Sequence, residues 1–341
     1  MGDSGVAQSF SPSGVTYACQ MVPHPTIYDV RAATVRIAGL ARVTPVQRSD
    51  WLSEAAGVPL WLKLECQQET GSFKVRGAAN SMLQLDDDGR AAGVVAVSSG
   101  NHGRAVAYVA RSLDVAATIC ISSRVPAVKV IAMEELGANV IVAGPDQDDA
   151  DAAARRFVSE DGLTFVHPFD DPQVIAGQGT IGLEIMEQVP DLREVVVPLS
   201  GGGLAGGIAL AFKESAPTNR VLGVSQERGP AMVRTIEAGH LVDVVEQDTL
   251  ADGLAGGLGP ENHHSVYLCS TMLDATFLVG EEEIADAMAF LHREEGLKVE
   301  GAGAVGVAAI MSGRLAPAGP TVVILSGGNV DDDTFDSVLS R

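Results

Sequence analysis

The sequence lacks the features of a membrane-spanning or secreted protein. Its 341 residues contain no run of about 18 apolar residues, the length needed to span a bilayer. The first 25 residues have no basic start followed by an apolar stretch and therefore predict no secretory signal. Their serine and glycine content indicates a flexible N-terminal extension over residues 1–25. We therefore expect a cytoplasmic protein.

Cysteine is also scarce, and none has a partner at metal-ligand spacing. The four cysteines are scattered, without a Cys-x-x-Cys pair or a nearby histidine, at Cys19, Cys66, Cys120 and Cys269. This distribution predicts reduced thiols.

Basic and aromatic residues are both few. Lys and Arg number 23 against 44 Asp and Glu, and the resulting net charge of −21 repels nucleic-acid phosphates and anionic lipid surfaces. Aromatic residues make up 4% of the chain, while alanine and glycine are abundant, which favours closely apposed helices and strands. The length is sufficient for two lobes with separate cores. We expect a globular protein that binds neither nucleic acid nor membrane.

Short β-branched runs alternate with helical patterns along the chain. This alternation predicts right-handed βαβ units and open parallel sheets, with ligands bound beyond the carboxyl ends of the strands. The predicted class is therefore α/β, with two open parallel-sheet lobes. A first helix is predicted over residues 29–40. The predicted strands cover residues 94–97, 117–121, 140–142, 195–197, 221–224 and 322–325, and the predicted later helices cover 103–112, 126–136, 150–160, 179–187, 204–214 and 281–294.

Loops rich in glycine and serine follow three of these strands, at residues 98–103, 200–203 and 326–329. The second loop opens a helix, so its backbone N–H groups can surround a phosphate at the positive helix end. The same glycines also fit a turn that lets a helix pack closely on a strand. The first loop is suited to gripping a carboxylate, with His102 either a general acid–base or a structural residue of its own helix.

Lys74 differs from the other four lysines of the chain. It is bracketed by glycines in the run Thr-Gly-Ser-Phe-Lys-Val-Arg-Gly, which can present one amine in a cleft beside an aromatic plane. A desolvated lysine has a lowered pKa and becomes both a Schiff-base nucleophile and a proton acceptor. The alternative is a surface lysine in a loop. Lys129 and Lys213 are predicted to reach solvent from helices, and Lys63 and Lys298 to sit among polar neighbours.

Two more side chains have open alternatives. Ser326 ends the last strand and either bonds a ring nitrogen or closes a turn. Glu300 either supports a substrate-facing loop or caps a helix.

Five motifs together resemble one enzyme family. They are residues 71–78 (GSFKVRGA), 99–103 (SGNHG), 177–180 (GQGT), 200–203 (SGGG) and 326–329 (SGGN). From about residue 27 to the end, their order and spacing resemble the fold-type II pyridoxal-5'-phosphate (PLP) enzymes of the serine/threonine dehydratase and serine racemase group. The resemblance implies a tryptophan synthase β-subunit-like fold and a homodimer. It also implies a large PLP-binding domain of residues 26–86 and 169–341 and a small domain of residues 94–165.

The resemblance also implies a role for each site residue. Lys74 is similar to the Schiff-base lysine, Phe73 to the residue beside the pyridine ring, and Ser99 to the serine on the opposite ring face in racemases. Asn101 is similar to the asparagine that contacts the 3'-oxygen, and Ser326 to the serine that bonds the pyridine nitrogen. The implied phosphate cup comprises Ser200, Gly201, Gly202, Gly203 and Leu204, and the implied contacts to the substrate carboxylate comprise Ser98, Ser99, Gly100, Asn101 and His102.

The reaction implied is loss of water from a 3-hydroxy amino acid, giving a keto product and ammonia. A neutral serine at the pyridine nitrogen suits β-elimination better than transamination. Some relatives carry acidic metal ligands after the strand at 221–224, but here those positions hold Ser225 and Ala231. We therefore expect no metal, although Glu227 offers a shifted carboxylate.

Three segments, residues 104–108, 225–232 and 252–257, look most like the hydroxyectoine utilization dehydratases. The substrate would then be a 3-hydroxylated diaminobutyrate derivative. A short catabolic threonine/serine dehydratase or serine racemase is the alternative enzyme. A metabolite-binding protein that kept the fold without catalysis is the alternative outside enzymes, although such a protein would not need Lys74.

Overall fold

The computed structural model of the chain describes residues 23–341, whose strands form two separate sheets. Residues 1–22 of the predicted N-terminal extension lie outside the described residues. In chain order the strands are β1 (Val46–Arg48), β2 (Leu60–Lys63), β3 (Val94–Val97), β4 (Ala117–Ile121), β5 (Asn139–Val142), β6 (Thr164–Phe165), β7 (Glu194–Pro198), β8 (Arg220–Gln226), β9 (Ala275–Val279) and β10 (Thr321–Ile324).

The larger sheet has six strands in the order β1-β2-β10-β7-β8-β9, and the smaller has four in the order β5-β4-β3-β6. Neighbouring strands run parallel except at one edge, where β1 and β2 pair antiparallel. The predicted α/β class with two parallel-sheet lobes is therefore confirmed.

Helices connect the strands and cover both sheets. They are α1 (Ile27–Arg36), α2 (Asp50–Ala56), α3 (Lys74–Met82), α4 (Asp87–Ala92), α5 (Asn101–Leu113), α6 (Ala127–Glu134), α7 (Gln147–Asp161), α8 (Pro172–Gln188), α9 (Gly203–Ser215), α10 (Ala231–Ala238), α11 (His264–Met272), α12 (Glu281–Glu295), α13 (Gly301–Met311) and α14 (Asp332–Leu339). None of these described helices is both long and apolar enough to cross a membrane.

Each predicted strand is present, with ends shifted by no more than two residues. Helix α1 begins earlier and ends earlier than predicted, because Thr26 and Asp29 form a capping box at its start and the helix closes at Arg36. Helix α8 begins at Pro172, seven residues before its predicted start, because Asp171 caps it through its carboxylate. Four strands were not predicted. Three of them, β1, β6 and β9, are short or partly exposed, and β2 has a lysine in its apolar run.

Glycines allow α3, α8 and α9 to approach each other closely. A Cβ on Gly177 would lie 2.5 Å from the carbonyl oxygen of Arg76, and one on Gly207 would lie 2.4 Å from that of Ile175. The Gly-Gln-Gly-Thr motif is therefore a packing motif within α8. It holds α3, which begins at Lys74, close against α8.

Candidate active site

Two chain segments pair at the end of β10 and bring Lys74 there. Ser72 and Gly327 form an isolated antiparallel bridge. The Phe73 N–H donates to the carbonyl oxygen of Ser326 at 3.0 Å, beside that bridge. Because β10 is central in the larger sheet, Lys74 lies at the carboxyl edge of that sheet, where α/β folds bind ligands.

The Lys74 amine is partly buried and faces the segment that precedes α8. Its Nζ donates to the carbonyl oxygen of Pro168 at 2.6 Å and lies 5.3 Å from the centroid of the Phe73 ring. Burial lowers the pKa of Lys74 to about 8, against a smaller opposite effect of Glu300. The lysine is in the first turn of α3, so the alternative of a surface lysine in a loop is wrong.

The glycine loop after β7 lies against the same segment. A Cβ on Gly201 would lie 2.4 Å from the Phe169 ring, and one on Gly203 would lie 2.6 Å from the Phe169 carbonyl oxygen. Pro168 and Phe169 are consecutive residues. The amine of Lys74 and the glycine loop therefore face one short piece of chain.

The start of α9 has the chemistry of a phosphate site. Its N-cap, Gly202, has a φ of +87°, a conformation that favours glycine, and no side chain caps the helix. Its first-turn N–H groups, including that of the buried Leu204, are therefore available to an anion. The Ser200 hydroxyl instead donates to the carbonyl oxygen of Leu254 at 3.1 Å. The loop fits the phosphate end of PLP through backbone groups.

The loop after β3 also ends at an uncapped helix start. Gly100 is the N-cap of α5 and has no side-chain cap, and its N–H donates to the Ser98 hydroxyl at 3.2 Å. Ser99 is partly exposed, and its side chain has no hydrogen-bond partner among residues 23–341. Such a start can accept a carboxylate on its backbone N–H groups.

His102 is structural in this arrangement. Its imidazole is buried, and Nε2 lies 2.8 Å from the carbonyl oxygen of Val166, to which it must donate. Burial, with a further contribution from Lys74, lowers its pKa to about 3, so the ring is neutral near pH 7. The backbone N–H of His102, in the first turn of α5, is available to a ligand. The geometry therefore favours the structural alternative over an acid–base role.

A chain of side-chain hydrogen bonds crosses between the loops after β3 and β10. Asn101 Nδ2 donates to Glu300 Oε1 at 2.6 Å, and Asn329 Nδ2 donates to Asn101 Oδ1 at 2.6 Å. Asn329 also donates to the carbonyl oxygen of Thr70 at 2.8 Å and accepts from Arg104 Nη1 at 3.0 Å. Asn101 thus belongs to a network that includes the segment leading to Lys74.

Glu300 and Ser326 lie close to this network. Glu300 precedes α13 as its N-cap residue but makes no side-chain cap, so the interpretation as a helix cap is wrong. Burial raises the pKa of Glu300 to about 7, with Asp252 adding to the effect. Ser326 is buried, and no residue of the described chain bonds its hydroxyl.

A buried ionic network supports the helix that carries Lys74. Arg76 pairs with Glu65 at 2.8 Å and with Glu184 at 2.6 Å, and it donates to the Thr180 hydroxyl at 3.0 Å. Lys63 is fully buried and pairs with Glu184 at 2.6 Å. The sequence predicted polar neighbours for Lys63 but did not predict that its ammonium group is buried against a carboxylate. Each charge here has an opposite partner, as burial requires.

Pro168 and Phe169 are site residues that sequence reasoning missed. They follow β6, a strand of two residues that carries too weak a pattern to be predicted. The available signal was that this loop, like the other three, follows a parallel strand.

The carboxyl end of β8 and the residue that follows it offer few metal ligands. Ser225 donates to Gln226 Oε1 at 3.0 Å, and Glu227 pairs with Arg314 at 3.0 Å. Within the described part of the chain, no group of three His, Cys, Asp or Glu side chains could hold a metal ion. The shifted carboxylate of Glu227 is therefore engaged by arginine.

Comparison with known proteins identifies the family. The family described as "Pyridoxal-phosphate dependent enzyme" matches residues 37–327. A "Putative threonine dehydratase" of Sinorhizobium fredii is 48% identical over 92% of this chain and 95% of its own, and an "L-threonine ammonia-lyase" of Thermotoga maritima is 41% identical over 93% and 78%. The structure of maize serine racemase superposes with a TM-score of 0.88 at 34% identity, over 93% of this chain and 98% of its own.

The chain therefore belongs to the family of PLP-dependent enzymes. The predicted cofactor and the prediction of a PLP enzyme are confirmed. The specific resemblance to hydroxyectoine utilization dehydratases stays a prediction.

Proposed function

We propose that this protein is a dehydratase that removes water from a 3-hydroxy amino acid, after which the enamine product takes up water and yields a keto acid and ammonia. The observation that carries the proposal is the shared segment Pro168–Phe169, which contacts both the Lys74 amine and the glycine loop 201–203. One reactive amine and one anion site that face the same short segment suit a phosphorylated aldehyde. When bound, PLP supplies an electron sink for the charge left at the α-carbon of the substrate.

The described residues divide the work of holding PLP. Lys74 would hold it covalently beside the Phe73 ring, and the uncapped start of α9 would bind its phosphate. The unpartnered Ser326 hydroxyl would face the pyridine nitrogen, and Asn101 would donate to the 3'-oxygen. A hydroxyl stays neutral at this position, which favours elimination over transamination.

Lys74 is also the proton acceptor that we propose for the α-carbon. An amine with a pKa of about 8 is neutral in a useful fraction of molecules near neutral pH. When the Lys74 amine is not bonded to the cofactor, it can therefore accept the α-proton of the substrate. The backbone N–H groups of residues 98–102 would bind the substrate carboxylate at the start of α5.

The test of this proposal begins with the cofactor. Purified protein loaded with PLP and reduced with borohydride should carry a pyridoxyl group on Lys74 by peptide mass spectrometry. Lys74→Ala should lose both the visible absorbance and this modification, whereas Lys298→Ala, which removes an exposed lysine, should keep both. A colourless wild-type protein without this modification would favour a metabolite-binding protein without catalysis.

The substrate is the finer part of the proposal. The segments 104–108, 225–232 and 252–257 support a 3-hydroxylated diaminobutyrate derivative from hydroxyectoine degradation. Keto-acid and ammonia assays should show turnover of that compound well above turnover of L-serine or L-threonine. Faster turnover of plain L-threonine would reject it in favour of a catabolic threonine dehydratase.

The named relatives support a second candidate, a threonine/serine dehydratase or serine racemase. The unpartnered Ser99 hydroxyl would act as the proton-transfer group on the ring face opposite Lys74, which racemisation requires. Measuring D-serine formed from L-serine tests this role, and Ser99→Ala should remove racemisation while keeping elimination.

Three further proposals concern organisation. We place the large domain at residues 26–86 and 169–341 and the small domain at residues 94–165, in line with the two sheets. We propose a cytoplasmic homodimer, which light scattering on the purified protein would test.

A further inference from the structure

The side-chain amide of Asn101 can present either of its two ends to the active site. An amide offers a donor at Nδ2 and an acceptor at Oδ1, and exchanging them inverts its chemistry. Only Nδ2 can donate to an oxygen of the cofactor. The partners that fix the amide orientation therefore decide whether Asn101 can donate a hydrogen bond to the cofactor.

Groups of fixed polarity set this orientation through a second amide. A carbonyl oxygen only accepts and a guanidinium only donates, so Thr70 and Arg104 determine which end of Asn329 faces each of them. Asn329 then directs Nδ2 at Asn101 Oδ1, at 2.6 Å. On the other side, Glu300 Oε1 accepts from Asn101 Nδ2, also at 2.6 Å. Both ends of the Asn101 amide are therefore assigned.

One N–H of Asn101 is left over in this arrangement. Nδ2 carries two hydrogens, and one is used by Glu300. We infer that Asn329 and Glu300 are positioning residues that aim the second Nδ2 hydrogen of Asn101 at the 3'-oxygen of PLP. The inference rests on the proposed role of Asn101.

Two glycines leave room for the hydrogen-bond relay formed by Glu300, Asn101 and Asn329. A Cβ on Gly71 would lie 2.4 Å from Asn329 Oδ1, and one on Gly327 would lie 2.2 Å from Glu300 Oε1. Any other residue at either position would displace a member of the relay. This gives a physical reason for glycine at both places.

The experiment compares holoenzyme variants of nearly equal size. Asn329→Asp removes the donor to Asn101 and offers an acceptor instead, which favours the inverted amide. We expect PLP to dissociate about tenfold to a hundredfold more readily, as for loss of one buried hydrogen bond with an unpaired group left behind. The ratio of the visible to the near-ultraviolet band of the bound cofactor should also change. Glu300→Gln keeps an acceptor for Asn101 and should stay within about threefold of wild type, whereas Glu300→Ala should behave like Asn329→Asp.

Controls separate this relay from general damage. Asp332→Asn removes an exposed ion pair with Lys298 three residues from Asn329 and should change neither the PLP affinity nor the spectrum. If Asn329→Asp does not fold, Arg104→Met serves in its place. Arg104 is partly exposed, and its replacement removes the hydrogen bond to Asn329 Oδ1, so we expect a smaller loss of PLP affinity in the same direction. Wild-type affinity and spectrum in a folded Asn329→Asp or Arg104→Met protein would overturn the inference. A wild-type protein that binds no PLP would instead reject the proposed function.

Discussion

The pKa of Lys74 leads to a prediction about the protein without its cofactor. An ordinary lysine, with a pKa near 10.4, is neutral in about one molecule in a thousand at about pH 7.5. A pKa of about 8 makes the amine neutral in about a quarter of molecules at that pH. Since only the neutral amine attacks an aldehyde, the fraction of Lys74 able to react should be about 200 times that of a solvated lysine. The cause is loss of hydration around the ammonium group.

The assay is the initial rate of reaction of the apo-protein with pyridoxal across the range from about pH 6 to about pH 10. The rate should rise with pH and reach half its maximum near pH 8. Because the Glu300 carboxylate raises the pKa of Lys74, Glu300→Gln should move that midpoint to lower pH. Lys298→Ala should leave the curve unchanged, and Lys74→Ala should remove it. A wild-type midpoint at the ordinary lysine value would refute the reasoning, as would an upward shift in Glu300→Gln.

Three more predictions follow from the same structure. Gly201→Ala should weaken PLP binding by at least about tenfold in equilibrium dialysis, because its Cβ would meet the Phe169 ring, whereas Gly257→Ala, with open space around it, should bind normally. Glu184→Gln should lower the free energy of unfolding by about 3 kcal/mol in urea titrations, since it leaves buried cations short of a partner, and the exposed change Asp332→Asn should cost less than about 0.5 kcal/mol. Chelators should leave the initial rate of keto-acid formation unchanged; a loss that divalent ions restore would contradict the assignment of Glu227 to Arg314.

The strands that sequence reasoning found share one property. Runs such as 94–97 and 195–197 are continuous β-branched segments, because both faces of a parallel sheet are buried. Strand β2 escaped because Lys63 interrupts its apolar run, and that lysine is tolerated only because Glu184, distant in sequence, neutralises it. A pattern within one segment cannot reveal a partner in another.

Some residues of the site could likewise be predicted from the sequence, and others could be found only from their tertiary contacts. The loops at 98–103, 200–203 and 326–329 and the lysine at 74 are visible in the sequence, and although each has an alternative reading alone, their order and spacing together indicate one site. The role of His102 was open until its ring was found bonded to Val166. Pro168 and Phe169 have no distinctive chemistry of their own and matter only through what they touch.

Local patterns in the sequence therefore predicted the fold class and the candidate lysine, and the resemblance of five ordered motifs to one enzyme family implied the cofactor. The fold class and the lysine depend on periodicity and on residue types within short windows, which a linear chain displays directly. The lowered pKa of Lys74, the orientation of Asn101 and the pairing of Lys63 were decided only by tertiary structure. Each depends on hydration and on hydrogen bonds between residues far apart in the chain, and those exist only once the two sheets and their loops are assembled.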